Sequence, residues 1–195
     1  MTTAARVVRP GRRRPAWRLT PRQRRVVLAL HVVCAAGWLA LYPAMLVLGI
    51  TAATTSDPEL ARAAYLALGR LGLTLIAPFS LAALFTGLTI SSGTKWGVLR
   101  HKWVVTKLCI VLIITLYDNL VLDPKLQDDA RRVSHARPGV LPAALAGGHP
   151  AVVAGIIGTT LISTATVLAI FKPWGRTKRG RKALSRDGYA SAARS

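Results

Sequence analysis

The chain has 195 residues, a formal net charge of +20 and 52% hydrophobic residues. A disordered basic protein would not carry so much apolar residue, and a chain with only two cysteines is not a disulfide-dense secreted scaffold. The charged and the apolar residues occupy separate segments of the chain.

The N-terminal segment is the most basic part of the sequence. Residues 1–25 hold nine arginines and no acidic residue, and they show no apolar period, so we predict a disordered basic tail. Residues 26–50 follow without a single charge and form the first predicted membrane span. This apolar run is longer than the roughly 7–15 residues of a signal peptide, which favours a retained span over a cleaved signal.

Three further segments are long and apolar enough to cross a bilayer. They are residues 71–92, 103–122 and 151–171, of which the second contains only Lys107 and Asp118 as charges. About 20 helical residues cross a hydrocarbon core of roughly 30 Å, and backbone groups in lipid must be satisfied within their own segment. The sequence therefore predicts an all-α membrane protein: a four-helix bundle in residues 26–171, with a second disordered basic tail at 172–195.

The orientation follows from the distribution of basic residues. Of the 27 Lys and Arg residues, 21 lie in the two tails and between the second and third spans, Lys107 included, accompanied by one acid, Asp187. Positive charge accumulates on the cytoplasmic side of a membrane. We therefore expect a multi-pass protein of the inner (plasma) membrane with both termini in the cytoplasm. Trp103 at an inner end, and Tyr42 and Tyr117 toward the outer ends, suit the headgroup level.

The loops on the other side carry helix signals. The Ser56–Glu59 segment reads as a capping box begun by Ser56, and it predicts a helix that runs into the second span with a bend near Gly69 and Gly72. The Asp123-Pro124 step predicts a break or kink in the third helix.

Small residues at four-residue spacing predict close helix contacts. They form one stripe on the first span, at Ala36, Ala40 and Ala44, and another on the fourth, which includes Gly155. Such stripes favour a compact bundle or the association of two copies.

An ionisable group inside a membrane is a functional candidate. His31 lies in the first span with Cys34 one turn further on, Cys109 reaches a comparable depth in the third span, and His101 directly precedes that span. Imidazole and thiolate bind copper, zinc or haem iron. His31 and His101 are thus candidate cofactor ligands, and His31, Cys34 and Cys109 candidate metal ligands. The alternative is that all four are ordinary packing residues and that no cofactor is bound.

The other intramembrane charges fall near the outer ends of spans. Asp118 lies there in the third span, and Arg70 flanks the second. An ion pair between them would reduce the cost of both. Such a pair is either a structural clamp or part of a proton or ion relay.

The sequence contains no phosphate loop, nucleophile elbow, zinc-protease helix or Ser/His/Asp set, so no enzyme is predicted. The basic tails offer only Trp17 and Tyr189 for stacking on bases, which favours anionic headgroups of the bilayer over nucleic acid as the partner. The leading hypothesis is a membrane-embedded interaction or accessory protein that binds another membrane protein or itself. The alternatives are a metal- or haem-handling protein that uses His31, and a small transporter subunit that uses Asp118 and Arg70.

Several short motifs occur together along the spans. They are Leu30-His31 with Gly37-Trp38, Thr86-Gly87-Leu88, the segment 93–97, the segment 100–108 and Lys172-Pro173-Trp174-Gly175. This series resembles an uncharacterised family of actinobacterial integral membrane proteins with four spans, over roughly residues 26–176. The layout is more distantly similar to the membrane domain of copper-resistance D proteins and of some b-type cytochromes. That similarity implies four spans with a histidine in the first helix, and it suggests function only by analogy.

Overall fold

A computed structural model describes residues 19–92, 101–142, 145 and 149–171. The described residues contain four helices that are long and apolar enough to cross a membrane: Pro21–Thr54, Pro58–Ser92, Lys102–His135 and Pro150–Phe171. The regular α-helices within them are α1 (Pro21–Thr54), α2 (Pro58–Leu71), α3 (Ala77–Ser92), α4 (Lys102–Tyr117), α5 (Asp123–His135) and α6 (His149–Phe171). The predicted all-α four-helix membrane fold is confirmed.

The first helix begins earlier than predicted. It includes Pro21–Arg25, which the sequence assigned to a disordered tail, so that boundary is wrong. The reason is a capping box: the Thr20 hydroxyl accepts from the Gln23 amide at 3.2 Å, and the Gln23 side chain accepts from the Thr20 amide at 3.0 Å. Residues 1–18 and 172–195 of the predicted tails lie outside the described residues.

The second helix is also capped differently from the prediction. Asp57, not Ser56, is the N-cap, and its carboxylate accepts from the Glu59 amide at 2.9 Å. Pro58 then occupies the first helical turn, where its missing N–H leaves no hydrogen bond unmade. The shift by one residue is what a proline in that position favours.

Two π-helical turns interrupt the second and third helices, at Gly72–Ile76 and Asp118–Leu122. Each turn is followed two residues later by a proline, Pro78 or Pro124. A proline inside an α-helix removes one hydrogen bond and clashes with the carbonyl four residues earlier. In both helices that carbonyl belongs to the π turn, which is wider than an α turn. The predicted break at Asp123-Pro124 is therefore a widened turn within one continuous helix.

The four spans close into a ring. α1 packs against α3 and α6, and α4 packs against the same two helices. In the apolar 18-residue stretch of each span, only 22 to 33% of the residues are buried within the bundle. Most of the apolar surface therefore faces outward, where a bilayer would cover it.

Small residues set the contact between α1 and α6. A Cβ on Gly155 would lie 2.8 Å from Leu46 Cβ, and one on Gly49 would lie 3.0 Å from the Val152 backbone nitrogen. Gly155, from the stripe predicted on the fourth span, thus lies in the contact between α1 and α6. Ala36, Ala40 and Ala44 are instead exposed, because α1 turns its Cys34, Trp38, Tyr42 and Met45 face to the bundle.

α2 and α5 extend from the spans and pack against each other; we call this the α2–α5 end. Arg62 Nη1 and Nη2 donate to the carbonyls of Ala136 and Ser134, at 3.1 and 3.2 Å. Glu59 accepts from the Gly139 amide at 2.7 Å, and the Tyr65 hydroxyl donates to the Leu145 carbonyl at 2.5 Å. These bonds fix the segment that follows α5 against α2.

Candidate functional site

The most deeply buried charged side chain among the described residues is Asp118, at 1% exposure. It begins the π turn of the third helix. The Tyr42 hydroxyl lies 2.7 and 2.8 Å from its two carboxylate oxygens, and the Trp38 indole N–H donates to Oδ2 at 3.0 Å. Hydrogen bonds to a charged group are roughly twice as strong as neutral ones. Asp118 thus joins the third helix to α1.

The local sequence explains why these three side chains meet. Trp38 and Tyr42 are four residues apart on α1, so they lie on one face of the helix, and both are 1% exposed. The Tyr42 ring lies directly over Gly158 of α6, where a Cβ would come within 2.1 Å of Tyr42 Cε1. Only glycine leaves room for the ring in this position. The fourth span therefore contributes space rather than a polar group.

A second buried contact joins the third span to α3 of the second span. The Asn119 side-chain amide donates to Ser80 Oγ at 3.1 Å and to the Thr115 carbonyl at 2.8 Å. Ser80 is completely buried and donates in turn to the Ala77 carbonyl at 2.9 Å. Asp118 and Asn119, the first two residues of the π turn, thus bind α1 and α3.

Two buried side-chain oxygens near Asp118 in sequence have no hydrogen-bond partner among the described residues: Thr115 Oγ1 and Asp123 Oδ1. The other oxygen of Asp123 accepts from Gln127 at 3.0 Å, and its backbone N–H donates to the Asp118 carbonyl across the π turn. Asp123 Oδ1 faces Gly72 of the first π turn, where a Cβ would lie 2.5 Å from it. The two π turns thus meet at an unpartnered carboxylate oxygen.

The predicted ion pair between Arg70 and Asp118 does not form. Within the described part of the chain, the ion pairs are Lys125–Asp129 at 2.5 Å and Arg132–Asp128 at 2.7 Å. Arg70 is exposed, because its neighbour Gly69 is the residue that α2 turns toward α5, with Ala130 in close contact. Asp118 instead takes its two donors from α1.

His31 contacts the second helix rather than another predicted ligand. It is half-buried, with Nδ1 3.0 Å from Thr86 Oγ1. Thr86 Oγ1 also contacts the Ala82 carbonyl, 2.5 Å away, and the donor in the histidine contact is set by the imidazole tautomer. A Cβ on Gly87 would lie 3.1 Å from the ring. Thr86 and Gly87 thus provide a hydrogen-bond partner and a flat surface for the imidazole.

The remaining predicted ligands differ in burial and in position. Cys34 is buried in the core at 4% exposure, whereas Cys109 is exposed. His101 occupies the N-cap position of α4, with its ring centroid 6.4 Å from that of Trp103. The described residues hold no group of three His, Cys, Asp or Glu side chains arranged to bind a metal ion.

Sequence reasoning missed Trp38, Ser80, Asn119 and Gly158 as site residues, and it placed Tyr42 at the lipid headgroups rather than in the core. The available signal was the pairing of two hydrogen-bond-donating aromatics at i and i+4 in one span with a carboxylate in another span. Tyr117, by contrast, is 42% exposed on the helix surface.

The chain matches no protein-family model, no curated protein and no solved structure. The resemblance to a four-span actinobacterial family, and the more distant one to copper-resistance D proteins, therefore stay predictions from the sequence.

Proposed function

We propose that this chain is a plasma-membrane protein with both termini in the cytoplasm, and that it works as a membrane-embedded interaction or accessory protein. The orientation is supported by the charge asymmetry, with 21 of 27 Lys and Arg residues on the side of the termini. Reporter fusions test it. A phosphatase that is active only outside the cytoplasm should be inactive after Ser195 and active after Arg137, and the reverse pattern contradicts the orientation.

The accessory role is supported by one observation above the others. Both oxygens of the buried Asp118 carboxylate are occupied by the protein's own donors, Trp38 and Tyr42. A carboxylate has about four acceptor positions; those that the structure shows in use serve contacts inside the molecule, and at 1% exposure the group is closed to a substrate from outside. It holds two spans together instead, which suits a fixed body that presents its outer faces to other membrane proteins.

Photocrosslinking in living cells tests this role. A photoreactive residue is placed at one exposed position on each span, namely Ala40, Phe85, Ile113 and Ile157. An accessory protein should give a discrete protein adduct from one face and only lipid adducts from the others. The absence of a protein adduct at all four positions contradicts the proposal.

A transporter subunit is the second candidate, now without Arg70. It is favoured by the unpartnered oxygens of Thr115 and Asp123, because a buried polar atom without a partner is costly unless a proton, ion or water serves it. Purified protein in vesicles should then conduct protons or monovalent cations. Asp118→Asn and Asp123→Asn should abolish this flux, and Asp128→Asn, a control whose side chain is 49% exposed, should not. A wild type without flux above empty vesicles would eliminate the transporter candidate.

The metal- or haem-handling alternative depends on His31, with His101, Cys34 or both. An optical and metal-content survey of the purified protein tests it. A Soret band, or stoichiometric copper, that His31→Ala removes would favour this alternative over the accessory role.

A further inference from the structure

One end of the described bundle carries only basic charge. Arg22, Arg24 and Arg25 at the start of α1, and Lys102 at the start of α4, are all exposed; we call these four residues the basic end. The six described acidic residues lie elsewhere in the chain, at positions 57, 59, 118, 123, 128 and 129.

The two helix starts lie at the same end of the bundle. The Trp38 and Asp118 side chains are hydrogen-bonded, so they lie at the same level of the bundle. Trp38 is about as far along the chain from the start of α1 as Asp118 is from the start of α4. The first and second spans are antiparallel, since Gly87 lies against His31 and Gly37 against Phe79. A third span that reverses direction again makes α4 parallel to α1. Their first turns therefore stand at similar depth.

That depth corresponds to the lipid phosphates. The uncharged part of α1 begins at Val26, next to Arg25, so at 1.5 Å per residue the three arginines lie within about 6 Å of it. The headgroup layer is roughly 5–7 Å thick on each side of the hydrocarbon core. On α4, the half-buried Trp103 follows Lys102, and indole rings favour the same layer.

The arginines are also held on an ordered turn, and no described acidic residue forms an ion pair with them. The Thr20–Gln23 capping box fixes the first turn of α1, and Arg22 and Arg25, three residues apart, share one face of it. The ion pairs of the described residues involve neither these arginines nor Lys102. Their charges are therefore available to anions from outside the protein.

We propose that the basic end binds the phosphates of anionic phospholipid headgroups. A guanidinium group binds phosphate through two parallel hydrogen bonds, and anionic phospholipids such as phosphatidylglycerol add a net charge that phosphatidylcholine lacks. Nucleic acid is disfavoured because the arginines directly precede the apolar part of α1 and so lie at the membrane surface. The proposal rests on the membrane bundle itself and is independent of the accessory role and of the orientation.

Native mass spectrometry of the full-length protein in detergent tests this proposal, with phosphatidylglycerol and phosphatidylcholine in competition. The wild type should retain phosphatidylglycerol preferentially. Replacing all three arginines of α1 by glutamine should reduce that preference at least tenfold, because each cation near an anionic surface is worth about fivefold in affinity. The matched control replaces three exposed arginines at the α2–α5 end by glutamine, namely Arg70, Arg131 and Arg137. This control should leave the preference unchanged.

Three further measurements separate other sources of the effect. Replacing the same three arginines by lysine keeps the charge and should keep most of the preference, which excludes a folding defect. Inorganic phosphate at millimolar concentration should not displace the lipid. Duplex DNA should bind no more tightly to the wild type than to the glutamine variant. Equal retention of the two lipids by the wild type, loss in the control, displacement by phosphate, or arginine-dependent DNA binding would each overturn the proposal.

Discussion

Asp118 shows at the scale of one residue how this bundle tolerates a carboxylate. Removing an ionised group from water costs several kcal/mol even after relaxation. Each charge-assisted hydrogen bond returns about 1.5–3 kcal/mol, and Asp118 receives such bonds from Tyr42 and Trp38. The two terms are of similar size, so the loss of either donor should leave a clear deficit.

We therefore expect Tyr42→Phe to destabilise the protein. The change removes the hydroxyl that contacts both carboxylate oxygens, and it should lower the free energy of unfolding by about 2 kcal/mol, measured by denaturation in detergent. Tyr117→Phe removes the hydroxyl of an exposed ring and should cost no more than about 0.5 kcal/mol. When Asp118→Asn is combined with Tyr42→Phe, the loss should be smaller than the sum of the single losses. Equal effects of the two tyrosine variants would show that the carboxylate does not depend on Tyr42.

At the scale of elements, the sequence predicted the spans but not how they meet. Charge-free runs of about 20 residues locate a span because lipid excludes charge. They carry no information about which face of α1 meets Asp118, since that depends on the rotation of each helix. The π turns were not predicted either. Prolines signal a disturbed turn, but packing decides whether that turn breaks or widens. Here the packing contact is that of Gly72 with Asp123.

Gly158 offers a test of the contact between α1 and α6. Gly158→Ala would place a Cβ 2.1 Å from the Tyr42 ring, and such overpacking typically costs 1–3 kcal/mol. The gain in helix propensity is at most about 1 kcal/mol, so the protein should be destabilised and the Asp118 contact displaced. Gly37→Ala is the milder comparison, because its Cβ would meet the half-buried Phe79 ring at 2.9 Å, a distance that a smaller shift of the ring relieves. We expect a larger fall in melting temperature for Gly158→Ala than for Gly37→Ala; equal changes would mean that Tyr42 has room elsewhere.

At the scale of the whole molecule, the α2–α5 end is held together by polar contacts that the sequence did not reveal. Sequence reasoning placed a helix start near Ser56 and a break or kink at Asp123-Pro124, and α2 and α5 begin at these two places. Their association through Arg62 depends on residues more than 70 positions apart. Pairings at that separation leave no periodic signal in a single sequence.

Arg62 should therefore control the order of the segment after α5. Its guanidinium binds the carbonyls of Ser134 and Ala136, groups that a helix C-terminus leaves without partners. With Arg62→Met we expect faster amide hydrogen exchange over residues 131–140 and unchanged exchange in α1. Arg70→Met, at an exposed position, should leave both segments unchanged. Unchanged exchange after Arg62→Met would show that α2 holds this segment through its apolar face alone.

The length of the helices has a practical consequence. The helices Pro58–Ser92 and Lys102–His135, which carry α2 and α5, are each about 50 Å long at 1.5 Å per residue. The hydrocarbon core is roughly 30 Å thick, so both helices are long enough to extend the α2–α5 end beyond it. A protein of 20.9 kDa buried in a micelle gives an electron microscopist little to align. A rigid, polar helix pair is an epitope to which an antibody fragment can attach as a fiducial marker, and it opens this bundle to experimental imaging.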